Sequence, residues 1–88
     1  MAYEVEITPE GLRHLDRLPD KVRAAVVETI LGSIAKNPRR AGKPLRGELE
    51  GISSARRGEF RVIYEIDDTR RVVLVHRAQH RRSAYRRR

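Results

Sequence analysis

The chain has 88 residues, 20 basic against 12 acidic side chains for a net charge of +8, and no cysteine. At this length it is expected to form one domain, residues 1–88, burying only ~60–65% of the surface that its unfolded form exposes. The missing cysteine excludes a disulfide framework, a thiolate zinc site and a cysteine nucleophile; the start, Met1-Ala2-Tyr3-Glu4-Val5-Glu6, is no secretory signal and no apolar run approaches membrane-spanning length, so the expected location is cytoplasmic.

Taken in chain order, Tyr3-Glu4-Val5-Glu6-Ile7 alternates apolar and polar residues and predicts a half-buried strand. Thr8-Pro9 supplies a helix N-cap followed by proline at the first helical position. Leu12, Leu15 and Leu18 then give a short helix one apolar stripe, weakened by Gly11 and ended by Pro19. A longer helix begins near Asp20. Val22, Ala25, Val26, Thr29, Ile30 and Ser33 share one face, and Val27, Leu31 and Ile34 widen it, which suits packing on a sheet and on the first helix together. Asn37-Pro38 stops it.

Arg39 to Glu50 reads as a polar connector punctuated by Gly42, Pro44 and Gly47. Three strands follow, at Ile52–Arg57, Phe60–Ile66 and Arg71–Ala78, joined by Gly58-Glu59 and by Asp67-Asp68-Thr69, both short enough for hairpins. In the middle strand Phe60, Val62, Tyr64 and Ile66 share one face, while Arg61, Ile63 and Glu65 share the other. The expected class is α+β: order β-α-α-β-β-β, a mainly antiparallel sheet with a helical hairpin on one face and Arg61 on the other.

Charge is spread unevenly. Residues 1–37 hold five basic and six acidic groups, a balance of −1, whereas residues 38–88 hold fifteen and six, a balance of +9. Seventeen of the basic residues are arginines, and eight of these fall within Thr69–Arg88, where no acidic residue occurs. Arginine's planar fork matches phosphate bidentately and keeps its charge, so the second half carries the footprint of a nucleic-acid-binding face. No Gly-rich phosphate loop, metal-ligand spacing or Ser-His-Asp grouping is legible, so no cofactor or metal is expected.

Side chains alone suffice to cut RNA, because the 2′-hydroxyl is an internal nucleophile beside the scissile phosphorus. The protein must then supply a base, cations for the charge gathering on phosphorus, and an acid for the departing 5′-oxygen. Arg56 and Arg61 flank a tight hairpin on neighbouring strands. His80, Arg81, Arg82 and Tyr85 follow the last strand and are expected to reach the same face. DNA lacks the 2′-hydroxyl and would not be cut by this route.

Three stretches carry a resemblance: Lys43-Pro44-Leu45-Arg46-Gly47 with Leu49-Glu50-Gly51, then Ser54-Ala55-Arg56-Arg57-Gly58-Glu59-Phe60-Arg61-Val62-Ile63-Tyr64, and finally His80-Arg81-Arg82 with Tyr85. Together with the strand and helical hairpin before them, they make essentially the whole chain resemble the RelE/ParE superfamily of bacterial type II toxins, most closely its RelE-like messenger-RNA interferases. The resemblance implies a basic concave face that enters the ribosomal A site and cleaves messenger RNA. It also implies a RelB-like acidic antitoxin that wraps the toxin in a hetero-oligomer.

By position, Arg61 matches the family's phosphate-stabilising arginine, Arg56 a basic residue on the preceding strand, Arg81 the arginine proposed to assist the leaving group, and Tyr85 the functional C-terminal tyrosine. His80 fills a place that is often basic. Lys43, Arg46, Arg57, Arg82 and Arg86 are read as RNA contacts. Ser54 stands where relatives often carry another basic residue, which leaves the identity of the base open. Two other functions share the fold: a ParE-like inhibitor of DNA gyrase, and a relative that binds RNA or antitoxin without cutting. Blander readings stand beside these, in which Arg61 is a solvated residue paired with Glu65, Tyr85 is a packing anchor, and His76 is a core or rim residue.

Overall fold

Thr8 does what its position predicts. In the computed structural model, which describes residues 2–45 and 51–82, it sits in extended backbone between strand β1 (Glu4–Ile7) and helix α1 (Pro9–Arg17), and its Oγ1 accepts a hydrogen bond from the Gly11 N–H at 3.0 Å. Satisfying an orphan donor of the first turn in this way is what an N-cap contributes. Gly11 is more than a weak helix former. A Cβ there would lie 2.8 Å from the Val75 carbonyl oxygen and 2.9 Å from Ile7 Cγ2, so only glycine lets α1 lie directly against the sheet.

Pro19 separates α1 from α2 (Asp20–Thr29), which runs on into a π-helical turn at Ile30–Ile34. Arg23 of α2 reaches back to the carbonyls of Leu15, Asp16 and Leu18, each at 3.4 Å, and so satisfies the acceptors that the end of α1 leaves open. Leu15, Val26, Ile30 and Ile34 are buried in the core. The expected stripes are narrower than their spacing suggested, because Leu12 and Leu31 stand 50% and 61% exposed. α1 lies along the sheet near β5 and buries less than a full face.

The connector is where expectation and structure part. It contains a short helix α3 (Pro38–Ala41), capped by Asn37, and a two-residue strand β2 (Lys43–Pro44), so among the described residues the sheet has five strands rather than four. β2 pairs antiparallel with β3 (Ile52–Arg57), and its Pro44 is tolerated because β2 is an edge strand. β3, β4 (Phe60–Asp67) and β5 (Val72–His80) form the antiparallel body, and β1 joins β5 in parallel, giving the order β1-β5-β4-β3-β2. Gly58 has φ +59 at the first central position of the β3–β4 turn, the conformation that a type II′ hairpin demands.

One irregularity decides which way β5 faces. Ile63 pairs with Arg77 but the next residue, Tyr64, pairs with Val75, so His76 is an extra residue forming a bulge. Before it, Val73 and Val75 point into the core; after it, Ala78 does. The shift keeps Arg77 and Gln79 on the face away from α2. Past the end of β1, α1 takes over the edge of β5: Thr8 N–H donates to Val75 O at 3.0 Å and Ala78 N–H donates to Nδ1 of His14 at 3.2 Å.

Candidate active site

Strand register assembles the site. Arg56 lies directly across from Arg61, Arg61 directly across from Gln79, and Ser54 directly across from Lys43, so all five leave the sheet on the face opposite the core. Lys43, Ser54, Arg56 and Arg61, with Gly42 and Leu45, line a cleft of about 530 Å³, within the roughly 300–1,000 Å³ of ordinary ligand sites. Two like charges opposite one another on neighbouring strands are unfavourable unless an anion joins them. Among the described residues neither Arg56 nor Arg61 forms an ion pair, whereas Arg23, Arg39, Arg57, Arg70, Arg77 and Arg81 each meet a carboxylate. The buried Nε of Arg61 likewise has no hydrogen-bond partner among the described residues. Glu65, the expected mate of Arg61 on the bland reading, is held by His76 at 3.1 Å instead.

The remaining expected site residues divide. Arg81 follows β5, its N–H bonds the Glu59 carbonyl at 2.7 Å, and its Nε meets the Glu59 carboxylate at 2.9 Å. That places it beside the β3–β4 turn, two residues or roughly 7 Å along the sheet from Arg61. Its guanidinium is therefore near the arginine pair but already engaged. Arg82 is exposed next to it, with its backbone N–H donating to His80 Nδ1 at 3.2 Å.

Arg57 and His80 do not share the face of Arg56 and Arg61. Both pair with Phe60, so both sit on the helix-bearing face. Arg57 donates to Thr29 Oγ1 at 2.9 Å and meets Glu28 at 3.2 Å, which ties β3 to α2. The His80 ring packs edge-on against Phe60, centroids 5.4 Å apart. Strand alternation is the reason: neighbours of Arg56 and Gln79 must point the other way. Arg46, Tyr85 and Arg86 lie outside the described residues.

Two residues that build the cleft carried no functional signal in the sequence. Tyr64, fully buried on β4, donates its hydroxyl to the Pro38 carbonyl at 2.6 Å and so fixes the start of α3, the segment leading to the cleft wall. Burial pushes its phenol up to about 12, so it acts as a donor at any physiological pH. Gly42 lets that wall approach, since a Cβ would lie 2.5 Å from both the Ser54 carbonyl oxygen and the Tyr64 hydroxyl. A Gly-Lys-Pro triplet in a connector hints at a tight approach, but its partner is visible only in three dimensions.

Comparison with known proteins places this small basic α+β chain, with its paired arginines over an open sheet face, in a class of compact toxins. The chain matches the family described as the ParE toxin of type II toxin–antitoxin systems (parDE) over residues 5–85. It belongs to that family, within the RelE/ParE superfamily. It is 54% identical over 83 residues to Toxin RelE of Mycobacterium tuberculosis, covering 93% of this chain and 84% of the relative. It is 47% identical to Toxin RelG of the same organism, covering 99% of this chain and 100% of the relative. The toxin–antitoxin complex RelBE2 of M. tuberculosis superimposes with a TM-score of 0.88 at 45% identity, covering 91% of this chain and 99% of that one. The intact E. coli RelBE complex shares the fold, with a TM-score of 0.77 at 23% identity over 90% of this chain and 96% of that one.

Proposed function

We propose that this toxin is a messenger-RNA endoribonuclease acting in the ribosomal A site, where the 2′-hydroxyl attacks the adjacent phosphate without a metal ion. The observation that carries the reading is the opposed pair Arg56 and Arg61, which share one open cleft and form no ion pair among the described residues. Such a pair suits a phosphate whose equatorial oxygens gain charge as phosphorus becomes five-coordinate. In this reading Arg61 and Arg56 hold those oxygens. Arg81 and Tyr85 serve the departing 5′-oxygen, Arg81 after exchanging Glu59 for the substrate. Arg46, Arg82 and Arg86 add affinity for the backbone in a salt-dependent way.

The same reading gives the chain an acidic RelB-like antitoxin as partner in a hetero-oligomer, in keeping with the toxin–antitoxin complexes among its structural neighbours. A basic face beside a small core offers an acidic amphipathic chain both charge complementarity and apolar surface. Cytoplasmic action follows from the ribosomal target.

The test is to induce the toxin without antitoxin and map transcript 5′ ends. Cuts within translated codons are expected, and Arg61→Ala is expected to slow cleavage by about 10²–10³-fold, the usual loss on removing one donor to developing charge. Intact messages together with DNA-damage signalling would replace this reading with gyrase inhibition. Full toxicity of Arg61→Ala would show that the arginine pair is not the site.

A further inference from the structure

We propose that Gln79 is a phosphate-binding residue, its side-chain N–H joining Arg61 at one oxygen of the anion, with His14 fixing which end of the amide faces it. The nature of that anion, a phosphodiester of RNA, rests on the cleavage reading above. The orientation of the amide does not.

His14 settles that orientation. Its Nδ1 accepts the Ala78 backbone N–H at 3.2 Å, so that nitrogen carries a lone pair and the neutral ring has its proton on Nε2. Burial keeps the ring in its neutral form by lowering its affinity for a second proton; the Glu10 carboxylate pulls the other way, and Arg77, Arg17 and Arg13 act with burial. Glu10 lies 3.7 Å from Nε2, which also favours a proton on that nitrogen.

Gln79 sets its Nε2 3.3 Å from Nε2 of His14, two donors facing each other. A half-turn of the amide about its last bond exchanges nitrogen and oxygen with no change of shape, and Oε1 then accepts the His14 N–H. The NH2 takes the position that Oε1 held, which is buried and has no hydrogen-bond partner among the described residues.

What that NH2 meets is set by the sheet. Gln79 is directly across from Arg61, on the face that the bulge at His76 assigns to it. The Arg61 Nε is likewise buried and without a partner among the described residues. Two buried donors on opposed positions cannot satisfy one another, and each left without an acceptor carries a desolvation cost. One acceptor reached by both relieves it. Arg61 and Arg56 line the same cleft, so the acceptor that this cleft selects is anionic. Gln79 contributes a neutral donor whose direction is fixed from behind, which sets it apart from the exposed Arg81 and Arg82.

The test compares the wild-type toxin with Gln79→Leu and Gln79→Glu. Leucine removes both halves of the amide, whereas glutamate keeps an acceptor for His14 and removes the donor. Long-range proton–nitrogen NMR is expected to show His14 with its proton on Nε2. The Gln79 side-chain N–H signals are expected to move on titration with inorganic phosphate, the probe. On programmed ribosomes both variants should lose about 10–10²-fold in single-turnover cleavage, as expected for one hydrogen bond to a charged group, while Gln79→Glu melts no lower than the wild type. If Gln79→Glu cleaves at the wild-type rate, if the Gln79 signals ignore phosphate, or if His14 carries its proton on Nδ1, Gln79 only ties β5 to α1. The proposal is then overturned while the ribonuclease reading stands. If the wild type leaves the message intact, the ribonuclease reading falls, and the phosphate titration by itself decides whether Gln79 binds the anion.

Discussion

Tyr64→Phe removes one oxygen atom and tests how the cleft wall is held. The tyrosine ring is fully buried and remains in the variant; only the hydroxyl that donates to the Pro38 carbonyl at 2.6 Å is lost. A satisfied neutral hydrogen bond contributes about 1 kcal/mol net, but here the abandoned carbonyl belongs to Pro38, itself fully buried. Leaving a buried acceptor without its donor moves the cost toward the upper part of the range of about 1–3 kcal/mol, so roughly 2 kcal/mol is expected. For a domain of this size that lowers Tm by roughly 8–16 °C. Urea unfolding followed by circular dichroism is the assay, with the midpoint expected to fall by about 1 M and the slope to stay constant. On the proposed ribonuclease function, cleavage should weaken as well, because α3 leads into Gly42 and Lys43 of the cleft wall. A stability change within about 0.5 kcal/mol, the range of ordinary surface substitutions, would refute the claim that this bond anchors the wall.

On the same proposed function, Arg57→Ala is expected to leave cleavage at the wild-type rate and to cost about 1 kcal/mol or less of stability, since its partners Glu28 and Thr29 are on α2 and the ion pair with Glu28 is well exposed; denaturation and cleavage assays on one preparation separate the two effects. Stability should also fall as pH drops through and below about 6.5, the unfolded value for histidine. Burial holds the His14 imidazole below that value, its Nδ1 accepting the Ala78 N–H, with Glu10 pulling the other way more weakly. The unfolded chain thus binds the proton more readily, and the stabilisation present above the unfolded value is lost as pH falls through the folded one. Urea midpoints between pH 7.5 and 5 should show this decline in the wild type and a shallower one in His14→Gln. An equal decline in both would assign the effect to other groups.

How much of the molecule was legible depended on the range of the interaction that decides each feature. The Thr8 cap, the stop at Pro19, the β3–β4 hairpin and the alternation of β4 are set by contacts a few residues apart, and each is found where the chain order puts it. Gly58 belongs here too, because a two-residue turn states its own demand for positive φ. Even Arg61's face followed from period-two alternation. The failures share a cause. Leu12 and Leu31 fit their helical periods, but period alone does not tell how much of a face a neighbour will cover. β2 looks like connector in the sequence because two residues carry no periodicity at all.

Composition and local pattern by themselves settled the chemical character of this toxin: a small α+β chain whose second half is dense with arginine, with Arg56 and Arg61 bracketing one turn. Tertiary structure alone decided which cations meet. The pairing of Lys43 with Ser54 joins residues eleven apart through an edge strand too short to announce itself. The bulge at His76 inverts the facing of everything after it, which sends Gln79 toward Arg61 and His80 toward Phe60. A strand's side chains alternate strictly, so one added residue reassigns a whole segment to the other face, and that residue is chosen by the pairing of two strands rather than by either strand's own sequence.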